Sequence, residues 1–264
     1  EFGDEWSKFY EHDDELVEKG GNEYFAILTA EMANAKTYAL DIGCGTGRWT
    51  KYLTKRVGFI EAVDPSNAIF AADKLLGEIK NVRLSQASID TLPFADETFD
   101  FVMSIGVLHH IPDTRKALCD CVKKVKKGGY FFVYLYYNLE KRGPYYTALF
   151  KLSNLVRKIV SRLPGKLKHF VCDVLAIIFY MPFILAGRFF KFLGFKDLAK
   201  RMPLHGYQNR SFFMIRNDTL DRFGTRLEQR FSKEEIIEMM TGAGLTDIVI
   251  STGIPLYHAV GKRM

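Results

Sequence analysis

The chain has 264 residues, of which 48% are hydrophobic and 26% charged. That supply of apolar side chains excludes disorder as the dominant state and suits one large domain, or one domain with a sizeable insertion. The formal charge of +6 is a mild excess and does not by itself mark a nucleic-acid binder. The excess is uneven: residues 141–202 hold thirteen Lys or Arg against Asp173 and Asp197, a local +11 that leaves −5 on the rest. Cys44, Cys119, Cys121 and Cys172 form no CxxC and no zinc spacing with the histidines, so reduced thiols and no metal site are expected. The first residues are polar and acidic, without a basic stretch leading into an apolar core, so no signal peptide is expected and the chain is read as cytoplasmic.

In chain order, apolar spacing predicts a helix over 22–35, then a first strand over 38–42. Gly43, Gly45 and Gly47 occupy the turn into a helix that carries Trp49 and Leu53. A second strand is expected over 59–63, a helix after Pro65-Ser66, and a short third strand near 82–84. A fourth strand runs over 99–104, a helix over 114–125, and a fifth strand over 130–136 after the turn Lys127-Gly128-Gly129. Strands alternating with helices imply a parallel sheet covered on both faces. The alternation stops over 138–225, where helical patterns are broken by Pro144, Pro164, Pro182 and Pro203, with an extended part expected near 210–216. Ser232 with Glu235 reads as a capping box opening a helix that Gly242 or Gly244 ends. Strands over 245–250 and 255–262 close the chain. The expected domains are a core over 1–137, a mostly helical substrate-side insertion over 138–227, and a completion of the core over 228–264.

The chemistry gathers around Asp41-Ile42-Gly43-Cys44-Gly45-Thr46-Gly47 and Asp64. Glycines let the backbone approach a ligand closely, and the amides at the start of the following helix can receive a carboxylate or a phosphate. Asp41 can reach a cationic amino group. Asp64, 23 residues later and ending the next strand, can accept both hydroxyls of a ribose.

Further motifs are Leu92-Pro93-Phe94, Phe99-Asp100-Phe101-Val102, Val107-Leu108-His109-His110-Ile111-Pro112-Asp113 and Lys127-Gly128-Gly129. Together with the glycine turn they resemble the class I S-adenosylmethionine-dependent methyltransferases, close to the small-molecule branch that includes ubiquinone and menaquinone biosynthesis enzymes. The resemblance covers residues 36–136 and, more loosely, 228–262. It implies an α/β fold, a Rossmann-like seven-stranded and mostly parallel sheet flanked by helices, with a mostly helical insertion between strand five and the last helix-strand unit. It also implies S-adenosylmethionine as cofactor. Gly43, Cys44 and Gly45 would line its methionine part, Asp41 its amino group, and Asp64 its ribose. Pro65 would help cover the nucleoside. Ser88 stands where the family usually carries an adenine-binding Asp, Ile89 would pack on adenine, and Ile105 would border the sulfonium.

The sulfonium is already an electrophile, so the protein acts chiefly by aligning the acceptor and excluding water. A general base helps where the acceptor is weakly acidic, and His110 is the first candidate, ahead of His109. Local hydrogen bonding is the competing use of that pair. By strand alternation Tyr134 and Tyr136 share one face and Tyr137 takes the other or enters the loop. Tyr136 and Tyr137 are candidates to hold or activate an acceptor, with core or cap packing as the alternative. Trp6, His205, Tyr207 and Arg210 are candidates to line the substrate side; an Arg there can pair with a carboxylate or phosphate.

Val174–Gly187 is uncharged over fourteen residues. That is shorter than the roughly 20 residues of a usual transmembrane helix, and Pro182 interrupts it. A buried helix in a cap or homodimer interface is the preferred reading, ahead of contact with a membrane periphery or a lipid-linked substrate; nucleic acid is disfavoured for want of a binding module. The expected activity is methyl transfer to a small or medium acceptor, at oxygen. The alternatives are carbon or nitrogen methylation of a lipid-linked or quinone-like substrate, or a catalytically silent cofactor-binding partner protein.

Overall fold

The computed structural model describes residues 14–138, 144–209, 212–251 and 256–264. They divide into two compact units, residues 1–138 with 227–264 and residues 139–226.

The first unit is built on a seven-stranded sheet in the order β3-β2-β1-β4-β5-β7-β6. Its strands are β1 (Tyr38–Ile42), β2 (Phe59–Val63), β3 (Val82–Ser85), β4 (Phe99–Ile105), β5 (Val125–Tyr136), β6 (Leu245–Ile250) and β7 (Leu256–Arg263). Strands β1 to β5 pair in parallel, and β7 is antiparallel to both β5 and β6. This is the Rossmann-like arrangement expected from the alternating pattern. The flanking helices are α1 (Asp14–Tyr24), α2 (Arg48–Thr54), α3 (Ala68–Leu76), α4 (Thr114–Lys123) and α10 (Lys233–Gly242).

Both sheet faces are covered, so the central strands are apolar on alternate and adjacent positions alike. Phe99 and Val102 of β4 join Leu118, Phe131, Leu135 and Met240 in one core cluster. Phe101 and Met103, pointing the other way, join Leu53, Ile60 and Phe132 in a second. Side chains this deeply buried cost about 2–5 kcal/mol each when truncated to Ala. The capping box at Ser232 forms as read: its hydroxyl accepts from the Glu235 amide at 3.0 Å, and its own amide donates to Glu235 Oε2 at 2.6 Å.

The helix expected over 22–35 instead runs over Asp14–Tyr24, with turns after it. Two forces move it. Gly20 and Gly21 sit inside the helix because aromatic rings of α2 press on them; a Cβ at Gly21 would lie 2.0 Å from the Tyr52 ring. At the helix end Tyr24 stacks on Trp49 at 4.3 Å, and just past it Phe25 stacks on Tyr52 at 5.0 Å.

The chain leaves the sheet after Tyr137 and returns at Phe231, and the two points are pinned together. Phe231 donates its amide to Tyr136 O, and Asn138 donates to Phe231 O, both at 2.9 Å. Tyr137 and Phe231 form an isolated parallel bridge.

The second unit is helical: α5 (Pro144–Val160), α6 (Gly165–Leu175), α7 (Met181–Phe192), α8 (Lys196–Arg201) and α9 (Phe212–Gly224). Its small cores gather Val160, Cys172, Leu220 and Phe223, and Ala176, Ile184 and Ile215. The extended part expected near 210–216 is helical from Phe212 onward, because Ile215, Thr219 and Leu220 recur at helical spacing and are buried. Residues 210 and 211 lie outside the described residues. Pro144 opens α5, Pro164 caps α6, and Pro203 follows α8, as breakers do. Pro182 does not interrupt its helix. A π-helical turn, Ala176–Tyr180, joins α6 to α7 and gives one run from Gly165 to Phe192. The wider turn, with the Met181 amide bonded back to Ala176 O, accommodates a ring that has no amide hydrogen.

Candidate active site

Strands β1, β2 and β4 run in parallel, so their C-terminal ends meet at one edge of the sheet, where open α/β folds receive ligands. Register places Ile42 beside Val63 and Asp41 beside Met103. Asp41, Gly43, Cys44, Gly45, Asp64 and Ile105 are thereby brought to the same edge.

The loop after β1 is held from below. Gly43 and Cys44 donate their amides to Val63 O, at 2.8 and 3.0 Å. Gly43 has φ +79°, and a Cβ there would stand 2.4 Å from Val107 Cγ2, so only glycine fits. Gly45, at φ +56°, has no atom within 4 Å of where a Cβ would be. The loop is thus packed on one side and open on the other, the shape of a cradle whose floor is backbone.

Two carboxylates border it. Asp41 is 2% exposed, and its Oδ2 accepts from Thr50 Oγ1 at 2.6 Å. Burial pushes its carboxyl up to about 7; the Thr50 hydrogen bond opposes the rise and the charge of Asp64 adds to it. Asp64 accepts from the Gly45 amide on Oδ2 at 2.9 Å, and from both the amide and the hydroxyl of Ser66 on Oδ1. Three of the roughly four acceptor positions of a carboxylate are engaged this way. Cys44 is buried beside both acids, and burial first, then their charges, holds its thiol well above the usual range; it is a packed, unreactive sulfur.

The remaining cofactor candidates lie further along the edge. Pro65 is exposed. Ser88 caps a 3₁₀ turn over Ile89–Thr91, its hydroxyl 2.9 Å from Thr91 Oγ1. Ile89 is half-buried and packs against the main core cluster.

Past β4, a 3₁₀ turn over Leu108–His110 sets the two histidines apart in role. His110 Nδ1 lies 2.8 Å from Leu227 O. A carbonyl oxygen only accepts, so Nδ1 carries the proton and Nε2 is the basic nitrogen of the neutral ring. His109 is fully buried, stacked on Tyr136 at 3.8 Å, with no hydrogen-bond partner for either ring nitrogen among the described residues. Burial, reinforced by the charges of His110 and Arg230, holds it well below the usual imidazole range and hence neutral.

Tyr136 also faces Tyr134, at 5.8 Å between centroids, and the Arg230 guanidinium at 5.2 Å. Tyr137 is on the other side of β5, edge-on to Tyr257. Around Tyr134 the aromatic cluster widens: Tyr24 at 5.5 Å and His258 at 5.0 Å, with Trp49 stacked on Tyr24. His258 is buried, and burial pushes it down to about 4. Gly106, at the end of β4, leaves the Tyr134 ring edge 3.9 Å from a would-be Cβ as its single near neighbour.

Of the substrate-side candidates, His205 is exposed in a 3₁₀ turn of the second unit, and Tyr207 is half-buried there, edge-on to Tyr180 at 5.9 Å. Trp6 and Arg210 lie outside the described residues. Sequence reasoning did not single out Thr50, Ser66, Tyr24 or His258. Ser66, two residues past Asp64, carries a local signal for a side-chain-to-backbone turn; the others are joined to the site only by tertiary packing.

A surface cleft of about 430 Å³, lined by Glu31, Asp100 and Gly128 among others, lies at the opposite ends of the strands and touches none of this chemistry.

Comparison with known proteins agrees with the geometry. A family profile described as "Methyltransferase domain" matches residues 40–133. A demethylmenaquinone methyltransferase of Alkalihalophilus pseudofirmus is 39% identical over 99 residues, 35% of this chain and 42% of that protein. An uncharacterised methyltransferase of Mycobacterium bovis is 30% identical over 147 residues, 55% of this chain and 73% of the relative. The first two curated relatives are matched over only 42% and 50% of their lengths. Among solved structures, human N-acetylserotonin methyltransferase in complex with S-adenosylmethionine superposes with a TM-score of 0.56 at 13% identity, covering 99% of this chain and 56% of the other, a likeness of fold. The chain belongs to the methyltransferase family. Its seven-stranded sheet has the Rossmann-like topology of the class I methyltransferase fold.

Proposed function

We propose that the acceptor is a planar, quinone-like ring bearing oxygen substituents, and that the methyl group goes to a ring carbon. The observation that carries this is the aromatic cluster at the C-terminal edge of β4 and β5. Tyr134 and Tyr136 form its centre, the buried imidazoles of His109 and His258 bracket Tyr134, and Gly106 leaves space beside it. Aromatic faces hold a flat ring by stacking. Buried ring nitrogens without partners are costly, about 1–3 kcal/mol each, and an oxygenated acceptor would give them partners. The demethylmenaquinone methyltransferase similarity supports a ring acceptor rather than the oxygen methylation expected from sequence.

S-adenosylmethionine, when bound, supplies the methyl group on its sulfonium and leaves as S-adenosylhomocysteine. In this proposal Asp41 holds its amino group, the backbone of Gly43 to Gly45 its carboxylate end, and Asp64 its ribose, exchanging the Gly45 or Ser66 bond for a hydroxyl. Pro65, Ser88 and Ile89 flank the adenine, and Ile105 borders the reacting carbon. His110 Nε2 accepts the acceptor's hydroxyl proton as the ring attacks. One carbon–carbon bond would form and one carbon–sulfur bond would break; the ring proton at the attacked carbon would pass to solvent, restoring the aromatic ring as its oxyanion, and His110 would return its proton to that oxygen, for a net release of one proton.

The test is turnover with the deuterated-methyl donor and a naphthoquinol, a catechol or an aliphatic amine, with product position read by NMR. A carbon-bound label on the naphthoquinol is expected. Label found only on oxygen or on the amine would sink the ring-carbon reading. His110→Gln is expected to lower kcat about 10²-fold or more with KM little changed.

A further inference from the structure

The helical unit carries an exposed apolar surface to which the proposed function assigns no role. Along the continuous helix Gly165–Phe192, the buried stripe is narrow: Lys168, Cys172, Ala176, Ile184 and Gly187 recur at spacings of three and four, apart from the π turn. Much of the remaining helix surface, from Ile177 onward, is apolar and exposed. Ile177, Ile178, Phe179, Leu185, Phe189 and Phe192 are each more than half exposed, Phe192 at 86%. Of the most apolar 18-residue stretch, 22% is buried, the reverse of a core helix. Cations follow in sequence and are exposed: Lys191, Lys196, Lys200 and Arg201, with Lys166 at the other end.

We propose that this face docks on an anionic lipid surface, with the helix lying in the plane of the interface. Its apolar side chains would enter the boundary between headgroups and acyl chains, and the flanking cations would pair with lipid charge. Charge decides against a second copy of the chain as occupant. A self-complementary dimer would bring two segments of +11 together, with Asp173 already paired to Arg216 inside each. The buried stripe decides against spanning. By length and composition the helix could cross a membrane. Doing so would strip Ile184 and Ala176 from Ile215 and carry Lys168 and the Asp173–Arg216 pair into hydrocarbon. The proposal is independent of which acceptor is methylated.

The experiment is vesicle flotation of the whole protein with phosphatidylcholine containing one-quarter phosphatidylglycerol, against phosphatidylcholine alone. Flotation with the anionic vesicles is expected. Apparent affinity should fall at least ten-fold without phosphatidylglycerol, in 0.5 M salt, and in Lys191→Gln/Lys196→Gln, since each cation near such a surface is worth about five-fold. Phe189→Glu/Phe192→Glu should abolish flotation, and Phe192→Ser should weaken it. Both leave buried groups untouched, so helicity by circular dichroism and S-adenosylmethionine binding should match the wild type. Failure to float with any vesicle overturns the proposal. So does a dimer by light scattering that the same Phe variants dissolve, which would give the face to a second copy. Resistance to extraction at alkaline pH would mean the helix spans rather than lies flat.

Discussion

Asp41→Asn tests the site and the folding energetics together. The carboxyl is 2% exposed, and burial raises it from the usual 3.8 to about 7. At about 1.4 kcal/mol per pH unit, ionising it inside the fold costs about 4 kcal/mol relative to the unfolded chain. Below pH 3.8 the group is protonated in both states and costs nothing. Between 3.8 and 7 the unfolded chain is ionised while the folded one holds its proton, so stability falls as pH rises. Above 7 the full cost is present. Asparagine keeps an oxygen for Thr50 and carries no charge, so the ligand-free variant should match the wild type near pH 4 and exceed it by up to about 4 kcal/mol at pH 8. Urea unfolding followed by Trp49 fluorescence in a Trp6→Phe background reads this. The same substitution should weaken S-adenosylmethionine about 10- to 100-fold at pH 8, the loss of a charged hydrogen bond. Wild-type affinity should rise between pH 5 and 7, as the acid ionises to meet the ammonium group, and the variant's should stay flat. A stability difference that does not grow between pH 5 and 7.5 would refute the idea that the buried charge is costly.

Two further substitutions separate packing from binding. Gly43→Ala forces a methyl against Val107 at positive φ and should cost about 3 kcal/mol by urea unfolding. Gly45→Ala meets no neighbour, so it should cost only about 1–2 kcal/mol yet reduce S-adenosylmethionine affinity at least ten-fold by calorimetry; wild-type affinity would show that the cradle lies elsewhere. Arg83→Met leaves the Glu61 side chain, 1% exposed, with the Tyr38 hydroxyl but without its guanidinium. A loss of about 2–3 kcal/mol is expected, and Arg83→Met/Glu61→Leu should recover part of it.

The strand edge proposed to hold the cofactor was legible as a piece of structure because its determinants are local. Asp41, the glycines and Asp64 sit where two strands end, and strand and turn chemistry read within a few residues places them. The capping box at Ser232 and Glu235 is legible for the same reason. The aromatic cluster was not, since Tyr24, Trp49, Tyr134 and His258 meet only after the chain has folded across more than two hundred positions. Tertiary packing likewise moved the first helix: apolar spacing pointed to 22–35, yet the helix lies over Asp14–Tyr24, with the Trp49 and Tyr52 rings pressing on Gly20 and Gly21. At Pro182 the one-dimensional rule that proline ends a helix failed because a π turn took up the misfit. The uncharged run around it then reads differently, as part of a 28-residue helix rather than a fourteen-residue fragment.

The backbone bonds that tie Tyr136 and Asn138 to Phe231 have an evolutionary consequence. They fix the exit and return of the excursion beside each other within the sheet unit, whatever lies between. Lengthening such an excursion is thermodynamically mild, about 0.6 kcal/mol for each doubling. The intervening helices can therefore be rewritten or exchanged without disturbing the strand ends proposed to meet the methyl donor. A lineage could in this way change what surface or molecule the protein visits while inheriting its sheet edge intact.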